Sequence, residues 1–138
     1  MKTLPRLKQE AQVVFNEFIR LRDSVGASHF KCISCGQVKA VKFMDAGHFY
    51  NVGYYDGLRY DEDNCHGQCS HCNRFLHGNL IEYQANLISK IGLQRFDRLK
   101  IKAGHYKRNG YKFTRFELNL LITIYKEKIV ELKKQLDL

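Results

Sequence analysis

Hydrophobic residues recur at helical spacing in three stretches of the chain. Over residues 6–23, Leu7, Ala11, Val14, Phe15, Phe18 and Leu21 fall three, four or one position apart, which places them on one helical face. Pro5 stands where a first helical turn accepts proline. Residues 80–91 repeat the pattern with Leu80, Tyr83, Leu87, Ile88 and Ile91, and Gly92 is a suitable stop. A long final helix is expected to about residue 136, with Leu118, Leu121, Ile122, Tyr125, Ile129, Leu132 and Leu136 on one stripe. It starts at Thr114-Arg115-Phe116-Glu117, a capping box in which hydroxyl and carboxylate satisfy each other's backbone N–H groups. Its stripe is expected to pack on the first helix, or in part on another subunit. Between these helices the pattern predicts a short helix over 94–102, ended by Gly104, and a basic loop over His105–Phe113. Residues 30–60 change character. Glycines at 36, 47, 53 and 57, with Tyr50, Tyr54, Tyr55 and Tyr60, predict short strands and turns, one strand through Val38–Phe43 and one around Leu58–Tyr60.

Composition narrows the class. Of 138 residues, 44% are hydrophobic and 27% charged, a globular balance. No apolar run approaches the ~20 residues that span a bilayer, and the N-terminus lacks the apolar stretch of a secretory signal. A membrane protein and a secreted disulfide scaffold are therefore disfavoured, and the cytoplasm is the expected location. The net charge of +9 points to a polyanionic partner. It is concentrated in Arg95, Arg98, Lys100, Lys102, Lys107, Arg108, Lys112 and Arg115, opposed only by Asp97 and interleaved with Tyr106, Tyr111 and Phe113. Asp45, Asp56, Asp61, Glu62 and Asp63 reverse the sign over 45–64. An acidic segment beside a basic one suits a site holding a cation and a phosphate together. The competing reading is two solvated surfaces joined by a loop.

Two of the five cysteines form Cys32-Ile-Ser-Cys35 and two form Cys69-Ser-His-Cys72. Two C-x-x-C knuckles supply the four thiolates of a tetrahedral Zn²⁺ site. Disulfides compete with this reading, but an odd cysteine and no export signal weigh against them. Four sulfurs leave no open position, so this zinc is expected to hold the fold and do no chemistry. Cys65 is expected to be a free thiol at least half-buried.

Most reactive side chains lie between or just after the knuckles: Asp45, His48, Asn64, His66, His71, Asn73 and His77. This is the layout of a ββα-metal (HNH-type) nuclease, in which a hairpin presents a His and a helix at the second knuckle supplies a metal ligand. Phosphodiester hydrolysis needs a base to deprotonate water and a cation to stabilise the phosphorane. Neutral imidazole at His48 suits the base, and the Asn64 carbonyl could fix its tautomer. Asp45, Asn73 and His77 are the candidate ligands of a catalytic Mg²⁺ or Mn²⁺. Arg74 could clamp a phosphate, and His66 could contact metal or phosphate. Each has a plainer reading: a structural strand histidine at 48, turn and helix caps at Asn64 and Asn73. Strand alternation separates Asp45 from His48 unless Ala46-Gly47 bulges. His77 shares a face with Asn73 only if a helix runs through both.

The runs Cys32-Ile-Ser-Cys35-Gly36, Asp45-Ala-Gly-His48-Phe49, Leu58-Arg59-Tyr60, Asn64-Cys-His66-Gly-Gln68-Cys69, Cys72-Asn73-Arg74, Gly78-Asn79-Leu80, Tyr83 and Leu87-Ile88-Ser-Lys90-Ile91-Gly92 together resemble the NinG/Rap family of lambdoid-phage recombination proteins. The resemblance spans nearly the whole chain. It implies a structure-specific endonuclease on branched DNA, including Holliday junctions and D-loops, working in the host bacterial cell. Longer members carry a basic, cysteine-containing N-terminal extension, so any DNA contact made there is not expected of these residues.

The expected molecule is therefore a single α+β domain over 1–138: an N-terminal helix (1–28), a zinc-stapled HNH-like core (29–80), and a helical part (81–138) carrying the basic loop 95–115. It is expected to leave 5′-phosphate and 3′-hydroxyl ends, to grip DNA through 95–115, and to dimerise, since resolving a junction takes two cuts. The rivals are a non-catalytic zinc DNA-binding module and an adaptor that recruits recombination proteins.

Overall fold

A computed structural model describes all 138 residues. The chain begins with helix α1 (Leu4–Asp23), whose first turn holds Pro5 and is capped by the Thr3 hydroxyl accepting from the Arg6 N–H. It ends with α4 (Arg115–Gln135), capped by the Thr114 hydroxyl at 3.1 Å from the Glu117 N–H. Only half of the expected capping box forms, because the Glu117 carboxylate accepts from the Tyr111 hydroxyl instead. The two helices pack on each other through Leu7, Ala11, Val14, Phe15, Phe18 and Ile19 on one side and Leu118, Ile122, Tyr125 and Ile129 on the other. Phe15 sits edge-on to Tyr125 and to Tyr60.

In the chain between these helices come two small antiparallel sheets. Strands β1 (Ser24–Val25), β2 (His29–Lys31) and β3 (Val38–Ala40) form one, in chain order. The other pairs β4 (Met44–His48) with β5 (Cys65–Cys69), in a register running from Met44↔Cys69 through Ala46↔Gly67 to His48↔Cys65. Helix α1 packs along this pair. Helix α2 (Leu80–Ile91) meets it through Tyr83, whose hydroxyl donates to the Gly47 carbonyl at 2.7 Å. Gly47 leaves room for a neighbour: a Cβ there would collide with the Gln68 amide, itself held by Ser34 and the Gly78 carbonyl. Tyr83, Leu87 and Ile91 share a second core with Leu58, Phe96, Leu99 and Ala103.

Three expectations are corrected. The strand through Val38–Phe43 stops at Ala40, and Val41–Phe43 close into a 3₁₀ turn. The strand around Leu58–Tyr60 is a 3₁₀ turn, Asp56–Leu58, that buries Leu58, while Tyr60 donates to the Lys8 carbonyl. The short helix and the basic loop are one helix, α3 (Leu93–Asn109), which runs through Gly104. Phe96, Leu99, Ala103 and Tyr106 recur every three or four residues and fasten it to the second core. Gly104 costs a helix interior only ~1 kcal/mol, less than burying those side chains returns. The basic stretch is thus a helix with a short extended tail, not a loop.

Candidate functional site

The knuckles meet at the open end of the β4–β5 hairpin, where Met44 pairs with Cys69. The four sulfurs of Cys32, Cys35, Cys69 and Cys72 all lie within 4.8 Å of one another, with Cys35 and Cys69 Sγ 3.9 Å apart. Four sulfurs at the ~2.3 Å Zn–S distance define a tetrahedron with edges of about 3.8 Å. Backbone N–H groups of Cys35 and Cys69 point at Cys32 Sγ, and that of Cys72 at Cys69 Sγ, at 3.3–3.4 Å. Such donors favour thiolates, so the set fits a metal ion such as zinc. Phe30 and Met44 pack beside it. Cys65, by contrast, is fully buried in the helix core, and burial pushes its thiol far above the usual range.

At the other end of β4 is a polar cleft of about 410 Å³, lined among others by Ala46, His48, Asn51, Asn73 and His77. His48 Nε2 lies 3.0 Å from the Arg59 carbonyl oxygen. A carbonyl only accepts, so Nε2 carries the proton and Nδ1 keeps its lone pair. Burial pulls the imidazole below its ordinary pKa, with the Arg59 carbonyl acting against it, so the ring is neutral at pH 7.

Asn64 does not touch that ring. Its side chain accepts from the Tyr50 N–H at 2.8 Å and donates to the Tyr50 and Leu58 carbonyls, tying both ends of the 50–58 connection. The expected tautomer-fixing role of Asn64 therefore falls to the Arg59 backbone, which no side-chain motif could have revealed. Asn51, which also lines the cleft, lies beyond the Asp-x-x-His run, and its side chain accepts from the Gly53 N–H at 2.6 Å.

Asp45 is likewise corrected as a cation ligand. The β4–β5 register is regular, without a bulge at Ala46-Gly47, so Asp45 and His48 project to opposite faces. Its carboxylate receives Asn73 Nδ2 at 3.0 Å and two guanidinium bonds from Arg74 at 3.1 Å. Arg74 is thus engaged by a carboxylate rather than left to clamp a phosphate. Asn73 and His77 do line one cleft, but not by sharing a helical face: a π turn over His71–Phe75 ends before His77, whose φ is 50°.

His66 is 1% exposed and cannot reach DNA as expected. Its Nε2 lies 2.9 Å from the Asp63 carbonyl, and its Nδ1 faces Lys90 Nζ at 2.9 Å and Arg22 at 3.2 Å. Both cations also hold Asp23, whose carboxyl they keep far below the ordinary range. Burial and these two cations push His66 down to about 3. Below pH ~6.5 the unfolded chain binds a proton that folded His66 refuses, so stability falls as pH drops from 6.5 towards 3, by at most ~1.4 kcal/mol per unit. His48 adds in the same sense. Urea titrations at pH 7 and 4.5 should show the loss, and His66→Gln should reduce it. An unchanged slope in that variant would remove His66 from the account.

The acids of 45–64 are consumed by ion pairs and make no cation site of their own. Asp63 pairs with Arg95 and Asp61 with Lys102. Asp56 takes Lys8 and Arg59, and Glu62 takes Lys128 and the Tyr125 hydroxyl. Arg115 donates to the Lys2 carbonyl. Arg98, Lys100, Lys107, Arg108 and Lys112 form no ion pair and remain free to meet phosphates. No helix is long and apolar enough to cross a membrane.

Comparison with known proteins agrees with the resemblance read in the motifs. The family model described as Bacteriophage Lambda NinG protein matches residues 1–135. Protein ninG of Escherichia phage 933W is 35% identical over 125 residues, which is 91% of this chain and 57% of that protein. Protein ninG of Escherichia phage lambda is 35% identical over 125 residues, covering 91% and 56%. Protein ninG of Salmonella phage P22 is 34% identical over 125 residues, covering 91% and 57%. The chain spans a little over half the length of these curated relatives. No solved structure matches. On a profile match over almost every residue and relatives at this identity, the chain belongs to the NinG family of lambdoid phages.

Proposed function

We infer that this chain is a metal-dependent, structure-specific DNA endonuclease acting on branched recombination intermediates such as Holliday junctions and D-loops, in the cytoplasm of the host bacterium. The supporting observation is the meeting of His48, with Nδ1 unprotonated, and Asn73 and His77 in one polar cleft. His48 Nδ1 takes a proton from the attacking water, while the Arg59 carbonyl holds the ring's other nitrogen. Asn73 Oδ1 and the His77 imidazole would hold Mn²⁺ or Mg²⁺, a mixed oxygen–nitrogen pair that suits Mn²⁺ better. The cation, when bound, supplies positive charge to the phosphate. Zn²⁺ on the four cysteines holds the hairpin that carries His48. The unpaired cations of α3 and its tail grip the backbone beside the cut, and a homodimer supplies the two cuts that resolve a junction.

The test is incubation with linear, nicked and four-way-junction DNA, with and without Mg²⁺ or Mn²⁺. The expected result is cation-dependent nicking of the junction ahead of the linear duplex. Salt-sensitive binding without nicking would leave a DNA-binding module.

A further inference from the structure

Tyr60, Tyr106, Tyr111 and Phe113 form a continuous chain of edge-to-face rings, with centroids 5.6, 4.7 and 5.1 Å apart along Tyr106–Tyr111–Phe113–Tyr60. They line a cavity of about 330 Å³ together with Asp61 and Glu117. Gly57 lets one ring approach closely, since a Cβ there would strike the Tyr106 ring. The Tyr111 ring is exposed and its hydroxyl serves Glu117 Oε2, leaving the other carboxylate oxygen without a donor. Lys107, Arg108 and Lys112 adjoin Tyr106, Tyr111 and Phe113 in the chain, all three exposed and none of them in an ion pair.

One exposed ring, Tyr111, backed by the half-buried Tyr106 and Phe113 and the buried Tyr60 and neighboured in the chain by unpaired cations, suits a base stacked on an aromatic side chain with its phosphates held outside. The free Glu117 oxygen can accept an exocyclic amino proton. A second copy of the chain is the poorer occupant of this slot, because Lys107, Arg108 and Lys112 would be buried there against like charge. The slot also lies next to the candidate catalytic cleft. Gly57 and Tyr60 form part of its wall, and the Arg59 carbonyl between them accepts from His48.

We propose that the cavity among Tyr60, Tyr106, Tyr111 and Phe113 is a binding slot for one unpaired nucleobase of DNA, by which the chain recognises the open centre of a branched substrate. This deepens the endonuclease reading and rests on it for the choice of DNA as ligand.

The experiment measures binding, without added Mg²⁺ or Mn²⁺, to three oligonucleotide duplexes: fully paired, with one bulged 2-aminopurine, and with one bulged abasic residue. The bulged base should bind roughly 5- to 150-fold more tightly than the abasic bulge, the worth of stacking one base, and its fluorescence should be quenched. Tyr111→Ala should abolish that gain and leave paired-duplex affinity unchanged, while Tyr111→Phe keeps it. Bulged dA or dC should bind better than bulged dT. Equal affinity for base and abasic bulges, or an equal loss on all duplexes in Tyr111→Ala, overturns the slot. So does sedimentation showing DNA-free dimers that Tyr111→Ala dissociates. Cation-dependent nicking with no base preference overturns the slot alone. Base preference without nicking overturns the endonuclease reading alone.

Discussion

In the proposed endonuclease, His48→Ala is expected to lower the rate of cation-dependent junction cleavage by about 10²–10⁴-fold, the range typical of losing a general base. The ring sits at the end of β4 and makes one hydrogen bond, to the Arg59 carbonyl. Its removal therefore leaves the hairpin register and the cysteine cluster untouched. Junction affinity measured without the cation should be unchanged, which separates a chemical defect from a folding one. The pH profile gives a second readout. Burial lowers the imidazole pKa, so the wild-type rate is flat near pH 7 and falls only at a pH below the ordinary imidazole value. That acid limb should vanish in the residual activity of the variant. Cleavage by His48→Ala at the wild-type rate would exclude His48 as the base.

Removal of the metal that the four cysteines would hold is expected to unfold the chain at 25 °C. Binding of Zn²⁺ to structural sites of this kind is worth ~10–16 kcal/mol, as much as the whole stability of a typical domain at ~5–15 kcal/mol. Here the cluster joins β2 and β3 to the end of β5, and Phe30 and Met44 pack on it. Chelation followed by far-ultraviolet circular dichroism should show loss of helix together with release of one Zn²⁺ per chain. Cys72→Ser should do the same. Cys65→Ser should retain the metal, because Cys65 lies outside the cluster. A chain that stays folded after complete metal removal would show that the sulfurs are ornamental to the fold.

The first and last helices and the cysteine cluster are readable in the amino-acid order because each rests on a local period. Leu7 to Phe18 and Leu118 to Ile129 mark their buried faces without reference to anything distant. The paired C-x-x-C spacing likewise carries its own geometry. What was not readable depends on partners far along the chain. His66 looks like a metal or phosphate contact until Lys90, Arg22 and Asp23 close over it from two helices. Asp45 looks like a ligand until Arg74 and Asn73 arrive from the turn after β5. Gly104 looks like a helix stop because its cost is local, whereas the gain from Phe96, Leu99 and Tyr106 depends on Leu58 and Tyr83 across the core. The acidic run at 56–63 promised a cation site and became counter-ions for Arg95, Lys102, Lys8 and Lys128.

Because the cluster clasps Cys35 to Cys69, residues 36–68 form a closed loop in the loaded protein. The entropy of closing such a loop rises only logarithmically, at ~0.6 kcal/mol for each doubling of length. Extra residues inserted at the exposed bend of Asn51–Tyr54 would thus be tolerated thermodynamically, since β4 and β5 are anchored independently of how the chain travels between them. That bend borders the cleft of His48. It is the place where the same scaffold could gain new reach along a nucleic acid through length variation alone, with the reacting groups undisturbed.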